Sequence, residues 1–225
     1  MKPKTLFAFI ASLASFSLSA DAANVAMNPG FENAGVGGPT DAESWNLFAG
    51  GAPGTLSERG GSNPSTGSFA ARILALGADG AGASAGINQD SISLGSLAEG
   101  TSVDATFDWL GNMGPGGVAF GALRIRNGVG AILEDSGLLV LGDTAGSFEN
   151  RSLGPLTVPA FGAAPNDSYS VFFEVSVAAG AFDGSSAEGF VDNVIVNGTV
   201  IPEPSASILA GLTLLGFASC RRRQA

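Results

Sequence analysis

Val103-Asp104-Ala105-Thr106-Phe107-Asp108-Trp109 alternates apolar and polar side chains without a break. A period of two puts Val103, Ala105, Phe107 and Trp109 on one face of an extended strand and Asp104, Thr106 and Asp108 on the other. Leu123-Arg124-Ile125-Arg126 repeats the pattern with both guanidinium groups outward, and Tyr169, Val171, Phe173 and Val175 alternate too. Outward from these stretches, short apolar or alternating runs are separated by Gly, Asn, Asp and Pro. They predict strands near 24–27, 44–48, 69–76, 83–94, 101–110, 118–126, 131–141, 147–158, 168–177 and 188–200. No amphipathic helical period and no repeat interrupts them. The expectation is an all-β domain, a β-sandwich of the jelly-roll kind.

Composition narrows the chemistry. The 225 residues contain no His and one Cys, so imidazole catalysis, His-ligated metals and an intrachain disulfide are excluded. Charged residues make up 13%, too few for a disordered acidic tail, and the 34 glycines fit a turn-rich β domain. The formal net charge is −10.

Both ends read as addresses. Residues 1–22 form a secretory signal: Lys2 and Lys4, an apolar run from Leu6 to about Leu18, and the small-residue site Ala20-Asp21-Ala22. Such a leader implies Sec export machinery as a partner. At residues 201–225, Pro202-Glu203-Pro204 precedes an apolar stretch from Ser205 to Cys220 and then Arg221, Arg222 and Arg223. As a helix the apolar stretch covers about 24 Å, short of a hydrocarbon core of about 30 Å unless flanking residues contribute. The three Arg would act as a stop-transfer cluster on the cytoplasmic side. The order of these parts resembles the PEP-CTERM sorting segment of Gram-negative bacteria. The resemblance implies processing near Pro-Glu-Pro by an exosortase, transient inner-membrane insertion, and release to the cell surface or extracellular matrix; an ordinary single-pass anchor is the alternative. With both ends removed, residues 23–200 keep five basic residues against 18 acids, a net charge of −13. A surface of that sign repels nucleic acid and anionic lipid.

Across residues 23–200, Asn28-Pro29-Gly30-Phe31-Glu32, Trp45, Gly67-Ser68-Phe69, Ile87-Asn88-Gln89 and Gly189-Phe190-Val191-Asp192-Asn193-Val194 follow in order. The succession resembles galactose-binding-like jelly rolls of the carbohydrate-binding-module type. If first and last strands are neighbours, Glu32 and Asp192 approach one another, and two carboxylates together need a cation or a proton. Calcium suits such oxygen ligands, and the resemblance implies a structural calcium site at Glu32 and Asp192. The alternative is that both are solvated or bonded to backbone.

Trp109 shares its face with Val103 and Phe107 and is expected in the core, as are Trp45 and Tyr169; no aromatic platform for a sugar is evident. Asp104 and Asp108 stand about 13 Å apart along one strand, beyond the spacing of paired glycosidase carboxylates. No nucleophile elbow or phosphate-binding loop occurs. The expected function is therefore that of a non-catalytic, exported protein that binds or organises extracellular polysaccharide. A purely structural biofilm protein and an adhesin without a glycan site are the alternatives.

Overall fold

A computed structural model describes residues 22–93, 99–160 and 169–199 of the protein. The helices expected in the leader and in the C-terminal tail lie outside these residues. Fourteen strands occur among the described residues. In chain order the first seven are β1 (Ala22–Asn24), β2 (Ala34–Gly35), β3 (Gly38–Ala42), β4 (Asn46–Gly50), β5 (Leu56–Gly60), β6 (Ala70–Leu76) and β7 (Ala83–Ser93). The remainder are β8 (Ser102–Met113), β9 (Gly117–Asn127), β10 (Ile132–Asp135), β11 (Leu139–Leu141), β12 (Glu149–Thr157), β13 (Tyr169–Ala179) and β14 (Ser186–Thr199).

They form two antiparallel sheets. Sheet I runs β12-β8-β14-β6-β5, with β1 pairing the far end of β14; sheet II runs β10-β9-β13-β7-β4, with β11 also pairing β9. First and last strands are thus neighbours, with Ala22 opposite Thr199. β2 and β3 make a separate hairpin. The architecture is the jelly-roll β-sandwich expected from the alternating patterns.

Alternation places the core where the sequence puts it. Val103, Ala105, Phe107 and Trp109 of β8 are fully buried, as are Val171, Phe173 and Val175 of β13, which face them from the other sheet. Phe107 meets Phe173 edge-on at 5.4 Å between ring centroids, and Trp45 meets the same ring at 5.9 Å. Phe31 lies tilted against Trp45 at 4.9 Å. Each ring removes a large apolar area from water, and edge-to-face geometry adds to that stabilisation.

Three departures from the expected strands have physical causes. The run at 131–141 is two strands, β10 and β11, divided at Ser136-Gly137-Leu138, where Gly137 takes φ 73°. The short β2 and β3 escaped notice because their residues, Gly, Pro, Thr and Asp among them, carry no apolar alternation. β5, Leu56-Ser57-Glu58-Arg59-Gly60, inverts the pattern. Its Ser57 and Arg59 point inward, Ser57 Oγ donating to Gly86 O at 2.8 Å across the sandwich.

Candidate functional site

Glu32 and Asp192 each accept hydrogen bonds from one loop, residues 61–69. Glu32 Oε1 accepts from Ser68 N at 2.8 Å and Phe69 N at 3.2 Å. Asp192 is fully buried; its Oδ2 accepts from Ser65 N (2.8 Å), Ser65 Oγ (3.0 Å) and Thr66 N (2.9 Å), and its Oδ1 from Asn193 N (2.7 Å). Ser65 Oγ also reaches Asp108 Oδ2 at 2.7 Å, and Asn150 Nδ2 donates to Asp108 Oδ1 at 3.1 Å. Gly67, at φ 63°, is required here, because a Cβ would collide with the Glu32 carboxylate.

This donor set does not fit the calcium expectation. The carboxylate oxygens above are engaged by N–H and O–H donors, and nearby carbonyl oxygens hold a guanidinium. Arg59, 5% exposed, donates to the carbonyls of Phe31 (2.5 Å), Glu32 (2.6 Å) and Pro39 (2.9 Å), and its Cζ stacks 3.4 Å from the Phe69 ring centroid. A protonated guanidinium thus already neutralises the carbonyls a hard cation would need. Among the described residues, no group of three or more acidic, His or Cys side chains is placed to hold a metal ion. The sequence pattern gives no sign of the buried Arg59, which lies against the Glu32 backbone.

The second arrangement is the outer face of sheet II. Strand register lines up Phe48 of β4, Gly86 of β7, Ser176 of β13, Phe120 of β9 and Val140 of β11 in one cross-strand row. Their side chains point away from the core, because their neighbours Ile87, Val175 and Ala119 point in. A Cβ on Gly86 would collide with the Phe48 ring, so that ring lies over the glycine backbone. The backbone positions of Phe48 and Phe120 stand three strand spacings apart, about 14 Å. The next row is polar: Asn46, Asn88 and Glu174, followed by Ala122. Asn46 Nδ2 donates to Asn88 Oδ1 at 3.4 Å. Among the described residues, no basic side chain forms an ion pair with Glu174.

A cationic cluster closes one end of the face. Phe172 packs under Arg126 (Cζ 3.6 Å from its centroid) and near Arg124 (5.7 Å). Arg126 pairs with Asp90 at 3.2 Å and Arg124 with Asp135 at 3.0 Å. Partial burial works against ionisation of Asp135, yet Arg124 and the Gly137 N–H hold its carboxyl below the usual range.

Tyr169, Trp45 and Trp109 are not platform residues. Tyr169 OH donates to Ala160 O at 2.9 Å, Trp45 Nε1 to Asn28 O at 3.0 Å, and Trp109 Nε1 to Gly142 O at 2.9 Å, all with buried rings. In the Phe48-Gly86-Ser176-Phe120 row, the outward aromatics are Phe48 and Phe120. The parity that put Arg124 and Arg126 outward assigns Phe120 to the same face.

Residues 200–223 match the PEP-CTERM protein-sorting motif. Pro202, Glu203 and Pro204 fall within the match, as do Arg221, Arg222 and Arg223; all lie outside the described residues. No curated protein matches the chain. Among solved structures, the enzymatically active domain of tailspike protein 4 of bacteriophage CBA120 is 19% identical with a TM-score of 0.51, over 77% of this chain and 21% of that one. The chain therefore spans about a fifth of that protein, and the likeness is one of fold. TmCBM61, solved with β-1,4-galactotriose, is 19% identical over 77% of this chain and 97% of its own, with a TM-score of 0.47. A family 22 carbohydrate-binding module of Clostridium thermocellum is 12% identical over 84% and 99%, with a TM-score of 0.43. The chain carries a PEP-CTERM sorting motif behind a β-sandwich similar in fold to part of the tailspike domain.

Proposed function

We propose that the protein is exported, sorted through its C-terminal motif by an exosortase, and binds extracellular polysaccharide non-catalytically along the outer face of sheet II. The observation that carries this reading is the pair of adjacent rows on that face. Sugars present apolar C–H faces and a rim of hydroxyls. Binding them takes flat apolar surface beside fixed donors and acceptors. The row Phe48-Gly86-Ser176-Phe120 supplies the first: a ring laid on the sheet, small residues between, and a second ring beyond. Asn46, Asn88 and Glu174 supply the second one step along the strands. The face is open along the strands on the Ser84 and Ala178 side, where small side chains leave the sheet uncovered, which suits a polymer rather than an isolated small molecule. The motif at residues 200–223 supports delivery to the outside, where polysaccharide is found.

The test is affinity electrophoresis of the full chain in mild detergent through gels containing soluble neutral β-linked galactan or xylan. Retardation is expected. Phe48→Ala should weaken it by about tenfold or more, since aromatic anchors dominate such contacts, and Glu174→Gln should weaken it with the melting temperature unchanged. Wild-type migration unaffected by every polymer would overturn the reading and favour a structural matrix protein or a protein-directed adhesin.

A further inference from the structure

The opposite face of the sandwich carries a half-open cavity of about 370 Å³, lined by Asn63, Leu110, Asn112, Asp143, Glu188 and Phe190 among others. Leu110 and Asn112 of β8 and Glu188 and Phe190 of β14 are outward residues of adjacent strands, with Phe190 opposite Leu110 and Glu188 opposite Asn112. Two loops, 61–69 and 142–148, supply the walls. Both are held. The first is bound by Glu32, Asp192 and Asp108 through the contacts described above. The second is bound by the Trp109 indole to Gly142 O, and by Thr144, which is 3% exposed and exchanges hydrogen bonds with Gly111 at 3.1 Å through both its backbone N and its Oγ1. The cavity therefore exists before any ligand arrives, and binding there need not order a loop.

Its lining is chemically specific. Phe190 and Leu110 form an apolar floor, while Asn63, Asn112 and Asp143 offer exposed polar groups at the rim. Glu188 is fixed by Arg72 at 2.8 Å, and this partner turns its guanidinium also toward Glu58 at 3.4 Å, on the sheet and outside the lining. No basic residue lines the cavity, whereas two carboxylates do. An anionic ligand is disfavoured, and a neutral, hydroxyl-rich one of sugar size is accommodated.

We propose that this cavity is a second saccharide site, taking a neutral sugar unit, and that the domain bridges two polysaccharide chains. The inference rests on the sheet II reading for its first site. The two sheets pack about 10 Å apart, and their outer faces look in opposite directions. A polymer lying along sheet II cannot also enter the cavity on sheet I without wrapping round the edge strands, so the second site engages another chain. A monomer thereby gains the capacity to organise a polysaccharide network rather than only adhere to it.

The test mixes the full chain in mild detergent with soluble neutral β-linked galactan and follows turbidity against protein concentration, with binding measured in parallel by gel retardation. Bridging predicts turbidity that rises and then falls as excess protein saturates the chains singly. Asn112→Ala combined with Asp143→Ala should keep retardation within about twofold yet reduce peak turbidity by about tenfold. A polyuronate of equal length should not be cross-linked. Wild-type chain that is retarded without cross-linking overturns the bridging alone, as does a double variant that cross-links like wild type. Wild-type chain that is not retarded at all overturns the sheet II reading and the bridging with it.

Discussion

Arg59 takes a full positive charge to a position 5% exposed, with three carbonyls and an aromatic ring, rather than a carboxylate, as its partners. Those carbonyls belong to Phe31, Glu32 and Pro39, so one side chain ties the turn after β1 to the β2–β3 hairpin. Replacing it with Met keeps much of the stem and removes every donor. The three carbonyls would then lose their partners, each at a cost of about 1–3 kcal/mol when buried. Arg59→Met is expected to lower stability by about 3 kcal/mol or more, a fall in melting temperature of roughly 6–12 °C for a domain of this size. Because the guanidinium already serves these oxygens, chelation should leave the melting curve of the wild-type chain unchanged. Differential scanning calorimetry with and without chelator checks both statements, and a lower melting temperature in chelator would reinstate calcium at Glu32 and Asp192.

At the level of strands and loops, the alternating residues of β8, β9 and β13 were legible because one face of each is buried and the other is not. That same parity contained most of the outer face of sheet II. With Tyr169, Val171 and Phe173 inward, Phe172, Glu174 and Ser176 must face out. Register across strands was not legible: nothing local to Phe48 says that it stands opposite Gly86, or that Ser176 and Phe120 continue the row. β5 was hidden for a different reason, since Arg59 sits where an apolar residue is expected and its satisfaction depends on carbonyls up to 28 residues away. The link from core to loop was also out of reach. Trp109 was rightly placed inside, but its indole passes close to Gly111 and Gly189, where a Cβ would collide with it, and its N–H holds Gly142. Trp109→Phe should lose that bond and leave a cavity where the indole covers Gly111 and Gly189, costing about 2 kcal/mol or more. Amide exchange should accelerate in residues 142–148 while β13 keeps its protection. Uniform acceleration across both sheets would instead mean that the indole bond has no local role.

For the whole molecule, charge and address reinforce one another. Between the two terminal segments the chain carries a net charge of −13, and the three Arg that would offset it stand together at the extreme C-terminus. Drawing such a cluster through an apolar barrier costs about 2.5–3.5 kcal/mol per residue at the centre of a span. On the proposed function, a chain exported from its N-terminus would be held at this point, with the acidic sandwich outside. Release would then follow cutting between the sandwich and the apolar stretch, where Pro202-Glu203-Pro204 lies within the matched sorting motif. Glu203 is the one charged residue from Val200 to Cys220, which would make it the charged feature a processing enzyme reads there. Glu203→Gln keeps size and backbone and removes only the charge. In the native host it should shift the protein from the extracellular fraction to the membrane fraction, at the length of the unprocessed precursor. Normal release of the variant would show that this carboxylate is not what the sorting machinery reads.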